Sequence, residues 1–205
     1  MPAVVGKIKL FADAHVFDNE YQGTRTYIKE IYSQLARIPE LEIYLGAYEP
    51  EKLAEIFQGI PNIRFIKYPG KSAFTRLLYS IPELITRYRI DFAHFQYILP
   101  PSKKCTYIVT IHDVTLNEFP GEFSYPYRLS KKMLYRDAAK RADIITTVSA
   151  YSRRSIQKYI GTTDQPIHII PNGVSKRFFL PYHKEISKKW IHEKFGISKF
   201  ILYVS

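Results

Sequence analysis

Three apolar runs in the second half of the chain each end in a short polar cluster: Tyr107-Ile-Val-Thr-Ile-His112-Asp113, Asp143-Ile-Ile-Thr-Thr-Val-Ser149 and Ile167-His-Ile-Ile-Pro171-Asn172-Gly173. If the runs are parallel strands, the clusters gather beyond the carboxyl edge of one sheet, where open α/β domains bind their ligands. His112 is the group best suited to proton transfer, or to a hydrogen bond with a hydroxyl or a leaving-group oxygen. Asp113 beside it can orient or charge-stabilise the imidazole. The alternative is a strand-end histidine paired within the fold and an aspartate that caps a turn. Ser149 opens a helical stretch, where N-capping is the expected use of a serine, and it lacks the flanking glycines of a nucleophile elbow. Arg153 and Arg154 can meet a phosphate or face solvent. Pro171-Asn172-Gly173 reads first as a turn.

A fourth candidate precedes these. The stretch Asp13-Ala-His-Val-Phe-Asp-Asn-Glu-Tyr-Gln-Gly23-Thr24 leads from a strand into a helix and presents backbone N–H groups at a positive helix end, which suits a diphosphate. With one glycine it is neither G-x-G-x-x-G nor a P-loop, and a turn glycine is the simpler reading. No metal is expected: the six histidines show no H-x-x-x-H spacing, and Cys105, the single cysteine, cannot build a thiolate site. The same count excludes an intramolecular disulfide.

The elements that must position these residues follow from hydrophobic period. Strands are expected over Lys7–Ala12, Leu41–Ala47, Ile63–Tyr68, Tyr107–Ile111, Ile144–Val148 and Ile167–Ile170, with a short apolar run at Phe92-Ala-His-Phe. Helices are expected over Thr24–Arg37, Glu49–Gln58, Phe74–Tyr88 with a break at Pro82, Tyr127–Arg141 and Ser149–Tyr159. Strands alternating with helices, with Ile- and Val-rich later strands, predict a doubly wound parallel sheet covered on both faces. Lys184 to Gly196 reads as a further amphipathic helix ended by glycine, and Lys199 to Val204 as a new strand.

With 205 residues, 46% of them hydrophobic, the chain can bury a full core. Thirty Lys and Arg against nineteen Asp and Glu leave a net charge of +11, which attracts nucleic acid, anionic lipid or phosphorylated small molecules without choosing among them. One helix concentrates that charge: Arg128, Lys131, Lys132, Arg136, Lys140 and Arg141 alternate with Tyr125, Tyr127 and Tyr135. Its face meets either anionic headgroups or only water. The amino terminus carries no basic leader followed by a long apolar stretch, and no apolar run approaches the roughly 20 residues of a membrane span. A cytoplasmic protein, with at most peripheral membrane contact at the inner face, is expected.

The order of the clusters is more specific than any one of them. Gly23 to Tyr27 as G-x-x-x-Y, then Asp91-Phe-Ala-His94, Ile-Val-Thr-Ile-His112-Asp113, Arg141-Ala-Asp143-Ile-Ile-Thr-Thr-Val-Ser149 with Arg153-Arg154, and Ile169-Ile-Pro-Asn172-Gly173-Val together resemble the amino-terminal half of family 4 retaining glycosyltransferases. The resemblance spans about residues 7 to 205, and Glu118-Phe-Pro-Gly-Glu122 is most like bacterial mannosyltransferases of surface-polysaccharide assembly. It implies a GT-B architecture: residues 1–195 would form the Rossmann-like acceptor domain, and 196–205 would begin a carboxyl-terminal donor domain that the chain otherwise lacks. By this resemblance Gly23 and Thr24 would lie against the donor diphosphate and His112 would approach the transferred sugar. Asp113, Ser149, Asn172 and Gly173 would line the cleft, with Arg153 and Arg154 near a phosphate or the acceptor. The reaction implied moves a hexose from a GDP- or UDP-linked donor to a saccharide or lipid-linked acceptor with retention, without metal or other cofactor. The residues that grip the nucleotide would lie in the missing half, so the chain alone should transfer little. It would be a truncated frame, an excised piece or half of a split enzyme paired with a separate chain, and no nucleic-acid partner is expected. A non-catalytic sugar- or partner-binding domain is the competing reading.

Overall fold

The computed structural model describes residues 6–18, 23–161, 165–173, 179, 181 and 183–201. In chain order, β1 (Ile8–Asp13) is followed by a 3-10 turn (His15–Asp18), α1 (Gly23–Leu35), β2 (Leu41–Ala47), α2 (Pro50–Ile56) and β3 (Ile63–Lys67). Then come α3 (Ala73–Thr75), a π-helical turn (Arg76–Ser80), α4 (Ile81–Tyr88), β4 (Phe92–Gln96) and β5 (Thr106–Thr110). The short α5 (Thr115–Glu118) precedes α6 (Tyr125–Arg141), β6 (Ile144–Thr147), α7 (Ala150–Tyr159) and β7 (Ile167–Ile169). All seven strands pair in parallel in the order β3-β2-β1-β4-β5-β6-β7. The order reverses between β1 and β4, and such a reversal opens the crevice in which doubly wound sheets bind ligands.

Two apolar layers cover the sheet because successive strand residues point to opposite faces. Phe11, Tyr44, Phe95, Tyr107, Val109 and Ile145 face one layer, shared with Ile81 and Ile85 of α4 and Ala138 of α6. Leu10, Ala12, Ile43 and Leu45 face the other, against Tyr27, Ile28 and Tyr32 of α1 and Leu53 of α2. Acidic side chains pin the opposite, amino-terminal edge. Asp91 Oδ2 accepts from Lys9 N at 2.8 Å, and Asp143 Oδ2 accepts from Tyr107 N at 2.8 Å.

The break expected at Pro82 takes another form. The helical run continues from Ala73 to Tyr88 through Pro82, which has no N–H to give the ladder, and the irregularity falls just before it as the π-helical turn, with Ile81 N bonded to Arg76 O. Residues 1–173 form one compact unit and 174–205 a second. In the second, α8 (Lys184–Phe195) ends at Gly196 with φ +68°, the left-handed cap that glycine adopts without strain. The strand expected at Lys199 to Val204 is not formed over residues 199–201, and residues 202–205 lie outside those described.

Candidate active site

The carboxyl edge of β4, β5 and β6 carries a buried polar cluster where an all-apolar face would be expected. Strand alternation sends Ala93 and Phe95 of β4 into one layer and His94 and Gln96 to the α1 side. Thr110 of β5 pairs with Gln96 on one flank and Thr146 of β6 on the other. Two tyrosines of α1 reach down onto this row. Tyr32 Oη lies 2.8 Å from His94 Nδ1, and Tyr27 Oη lies 3.3 Å from Thr110 Oγ1. His94 Nε2 is 2.7 Å from Thr110 Oγ1, which is in turn 2.6 Å from Thr146 Oγ1. Buried polar groups are tolerated at this density only because each finds a partner.

His112 sits at the top of this cluster, two residues beyond the end of β5. Its Nε2 is 2.6 Å from Gln96 Oε1, and Gln96 Nε2 lies 3.2 Å from His94 Nε2. The Tyr27 ring meets the imidazole edge-on at 4.7 Å between centroids, and Tyr97 covers it at 5.5 Å. Burial holds the His112 pKa below the usual histidine value, opposed by the charge of Asp113. His94 is buried more deeply, and burial, aided by repulsion from His112, lowers its pKa to about 4. Near neutral pH both rings are therefore uncharged hydrogen-bonding groups.

Tyr97 is held in the left-handed region at φ +64°, a strained conformation for an aromatic residue that persists only where the surroundings impose it. Its N–H donates to the Thr110 carbonyl at 3.0 Å, and its ring stacks on Tyr135 of α6 at 4.9 Å. The strain thus clamps an aromatic wall against His112.

The other sequence candidates sort by position. Asp113 does not orient the imidazole through a hydrogen bond. Its Oδ1 accepts from Thr115 N at 3.2 Å and caps the turn into α5, so it reaches His112 only through charge. Ser149 caps α7, accepting from Ser152 N at 3.0 Å. Arg153 and Arg154 lie exposed on that helix, and Asn172 and Gly173 are exposed beyond β7. Gly23 opens α1 with no neighbour within 4 Å of where a Cβ would stand, and Thr24 follows it half-buried. Residues 19–22 of the preceding loop lie outside those described. Among the described residues no group of three acidic, histidine or cysteine side chains could hold a metal.

Beyond His112, the cluster is built from residues without an expected site role: His94, Gln96, Thr110, Thr146, Tyr27, Tyr32 and Tyr97. A signal for two of them was present, since in Phe92-Ala-His-Phe-Gln96 the period of two puts both polar residues on one face at a strand end.

Residues 21–178 match the family model described as Glycosyltransferase Family 4. The chain belongs to this family. Among solved structures, a glycosyltransferase from Rickettsia africae ESF-5 superposes with a TM-score of 0.55 at 14% identity, over 92% of this chain and 49% of that one. The family 4 chain thus spans about half of that protein's length, and the likeness shows the fold. A putative UDP-N-acetylglucosamine 2-epimerase from Listeria monocytogenes gives 0.46 at 14% identity over 75% of this chain and 42% of its own, a similarity that carries no argument. No curated protein matches. The polar cluster lies within the residues that the family model matches. The edge-on tyrosine, the tyrosine wall and a neutral imidazole on a buried amide make a surface able to bind hydroxyls and pack against a sugar.

Proposed function

We propose that this family 4 domain forms the acceptor-side wall of a retaining glycosyltransferase. A hexosyl group, with mannose the first to test, passes from a GDP- or UDP-linked donor to a saccharide or lipid-linked acceptor of surface-polysaccharide assembly. The observation that carries this reading is His112 at the mouth of the sheet, beside its switch point, neutral and braced by Gln96. The donor's diphosphate is assigned to the Gly23 and Thr24 end of α1, and the rest of the donor to a further domain, in the same chain or a separate one. No cofactor is invoked.

Peripheral attachment to an anionic membrane belongs to the same proposal. On α6, Tyr125, Leu129 and Met133 form an exposed row at i, i+4 and i+8, with 64% of Met133 accessible. The basic row Lys132, Arg136 and Lys140 runs beside it. Among the described residues no helix is long and apolar enough to cross a membrane.

The experiment is a panel of GDP-, UDP- and dTDP-sugars offered to the chain with its donor-binding domain supplied in cis or in trans. One donor is expected to be consumed, and His112→Ala to lower that turnover by roughly a hundredfold or more while leaving folding intact. Undiminished turnover in the variant removes His112 from the mechanism. No turnover with any donor favours a non-catalytic binding domain.

A further inference from the structure

The cluster beneath His112 is an ordered chain of donors and acceptors, and its distances decide which way the hydrogens run. At 2.6 Å the contact between His112 Nε2 and the Gln96 side chain is too short for an N–H···N bond and suits N–H···O, so the amide oxygen faces His112 and His112 Nε2 carries the hydrogen. The amide nitrogen then necessarily faces inward and donates to His94 Nε2 at 3.2 Å. That nitrogen is then bare, its single lone pair shared between the amide hydrogen and the Thr110 hydroxyl hydrogen, the latter at 2.7 Å. The His94 hydrogen consequently sits on Nδ1 and is donated to Tyr32 Oη at 2.8 Å. One amide, buried at the end of β4, thereby ties the tautomer of the cleft histidine to that of the histidine below it.

We propose that Gln96 is a positioning residue that fixes His112 as the Nε2–H tautomer, leaving Nδ1 as a lone-pair acceptor for a substrate hydroxyl. The proposal deepens the reading of His112 as the residue that meets the sugar. It also narrows that role: a neutral His112 held this way accepts a hydrogen from a hydroxyl and does not donate one to a leaving phosphate. Among the described residues Nδ1 has no partner. The groups around the ring agree with a neutral acceptor. Tyr27 and Tyr97 present aromatic surfaces, His94 below is itself uncharged near neutral pH, and Asp113, whose charge acts on the ring, is engaged with the Thr115 N–H. The strained Tyr97, next in sequence to Gln96, locks the strand end from which the amide projects.

The test reads tautomers directly and needs no turnover, so it stands apart from the failure or success of the transferase reading. The 205-residue chain is labelled with imidazole-15N histidine, and long-range proton–nitrogen spectra are recorded near pH 7.5. His112→Asn and His94→Asn identify the two rings. In the wild-type chain His112 is expected as Nε2–H and His94 as Nδ1–H. Gln96→Met, similar in size but without the amide, is expected to release His112 into a mixture with severalfold more Nδ1–H. Gln96→Glu supplies a carboxylate that accepts from both sides. It should restore Nε2–H at His112 while flipping His94 to Nε2–H, an exchange that a merely space-filling residue would not produce. Either wild-type ring in the opposite tautomer, or a His112 signal unmoved by Gln96→Met, overturns the proposal. Should Gln96→Met fail to fold, an unflipped His94 in Gln96→Glu overturns it alone. In the completed enzyme Gln96→Met is expected to lose roughly tenfold or more in kcat/KM, partly regained by Gln96→Glu.

Discussion

Burial of His94 makes the stability of this domain depend on pH in a way that one substitution should erase. Its pKa falls from the ordinary 6.5 to about 4 in the folded chain, first because burial penalises the imidazolium and second because His112 lies nearby. In the unfolded chain the same ring takes up a proton as the pH drops through 6.5, whereas the folded chain refuses it until about 4. Between those limits the unfolded state binds more protons, so stability must fall as pH falls, by about 1.4 kcal/mol per pH unit for a single site. The contribution is complete above the unfolded value and lost on approaching the folded one, about 3 kcal/mol in all. Urea melts of the wild-type chain and of His94→Asn at half-unit steps from pH 7.5 to 4.5 would measure it. The wild-type advantage is expected to shrink by about 2–3 kcal/mol across that range, because other titrating groups are common to both proteins and cancel in the difference. Two curves parallel within about 0.5 kcal/mol would refute the reasoning. They would mean that His94 is protonated in the folded state or that water reaches it, and the neutral relay to His112 would fall with it.

Two further outcomes follow from packing and burial. A Cβ on Gly46 would collide with the Tyr68 phenol, and Tyr68 is fully buried while donating to Asp13 Oδ1 at 3.0 Å. Gly46→Ala should therefore cost about 3 kcal/mol of unfolding free energy in a urea melt, from overpacking and a weakened bond to a charged group, and a loss below about 0.5 kcal/mol would show that Tyr68 yields freely. The Cys105 thiol is pushed up to about 12 by burial and then by the charges of Asp143 and Asp91. Its reaction with a disulfide reagent at pH 8 should run roughly a hundredfold or more slower in the folded chain than after urea unfolding, and equal rates would place the thiol in water.

The sheet was legible because parallel strands buried on both faces leave continuous Ile and Val runs, as at Tyr107–Ile111, while α1 shows helical spacing through Tyr27, Ile28 and Leu35. Leu41–Ala47 matches β2 to the residue, and Ser149 is the cap it was expected to be. The π-helical turn at Arg76–Ser80 was not legible, since neither residue period nor the position of Pro82 distinguishes an extra helical residue from a kink. His112 stood out in the sequence because a histidine follows an unbroken apolar strand. Its partner did not, because the neighbour in sequence, Asp113, is engaged with the Thr115 N–H, whereas Gln96 arrives from the adjacent strand.

What the sequence by itself determined is the alternation of strands and helices, the line-up of polar clusters at strand ends, and the family those clusters resemble. Period and order are local properties, set by backbone geometry and by which side chains must leave water. The tertiary structure alone decided which clusters meet. Parallel pairing sets β4 beside β5 in a register that places Gln96 opposite Thr110, two residues short of His112, and the packing of α1 lowers Tyr27 and Tyr32 onto the same row. Hydrogen bonds act over about 3 Å, so the chemistry of His112 depends on residues 16 and more positions away that only the folded register brings within reach.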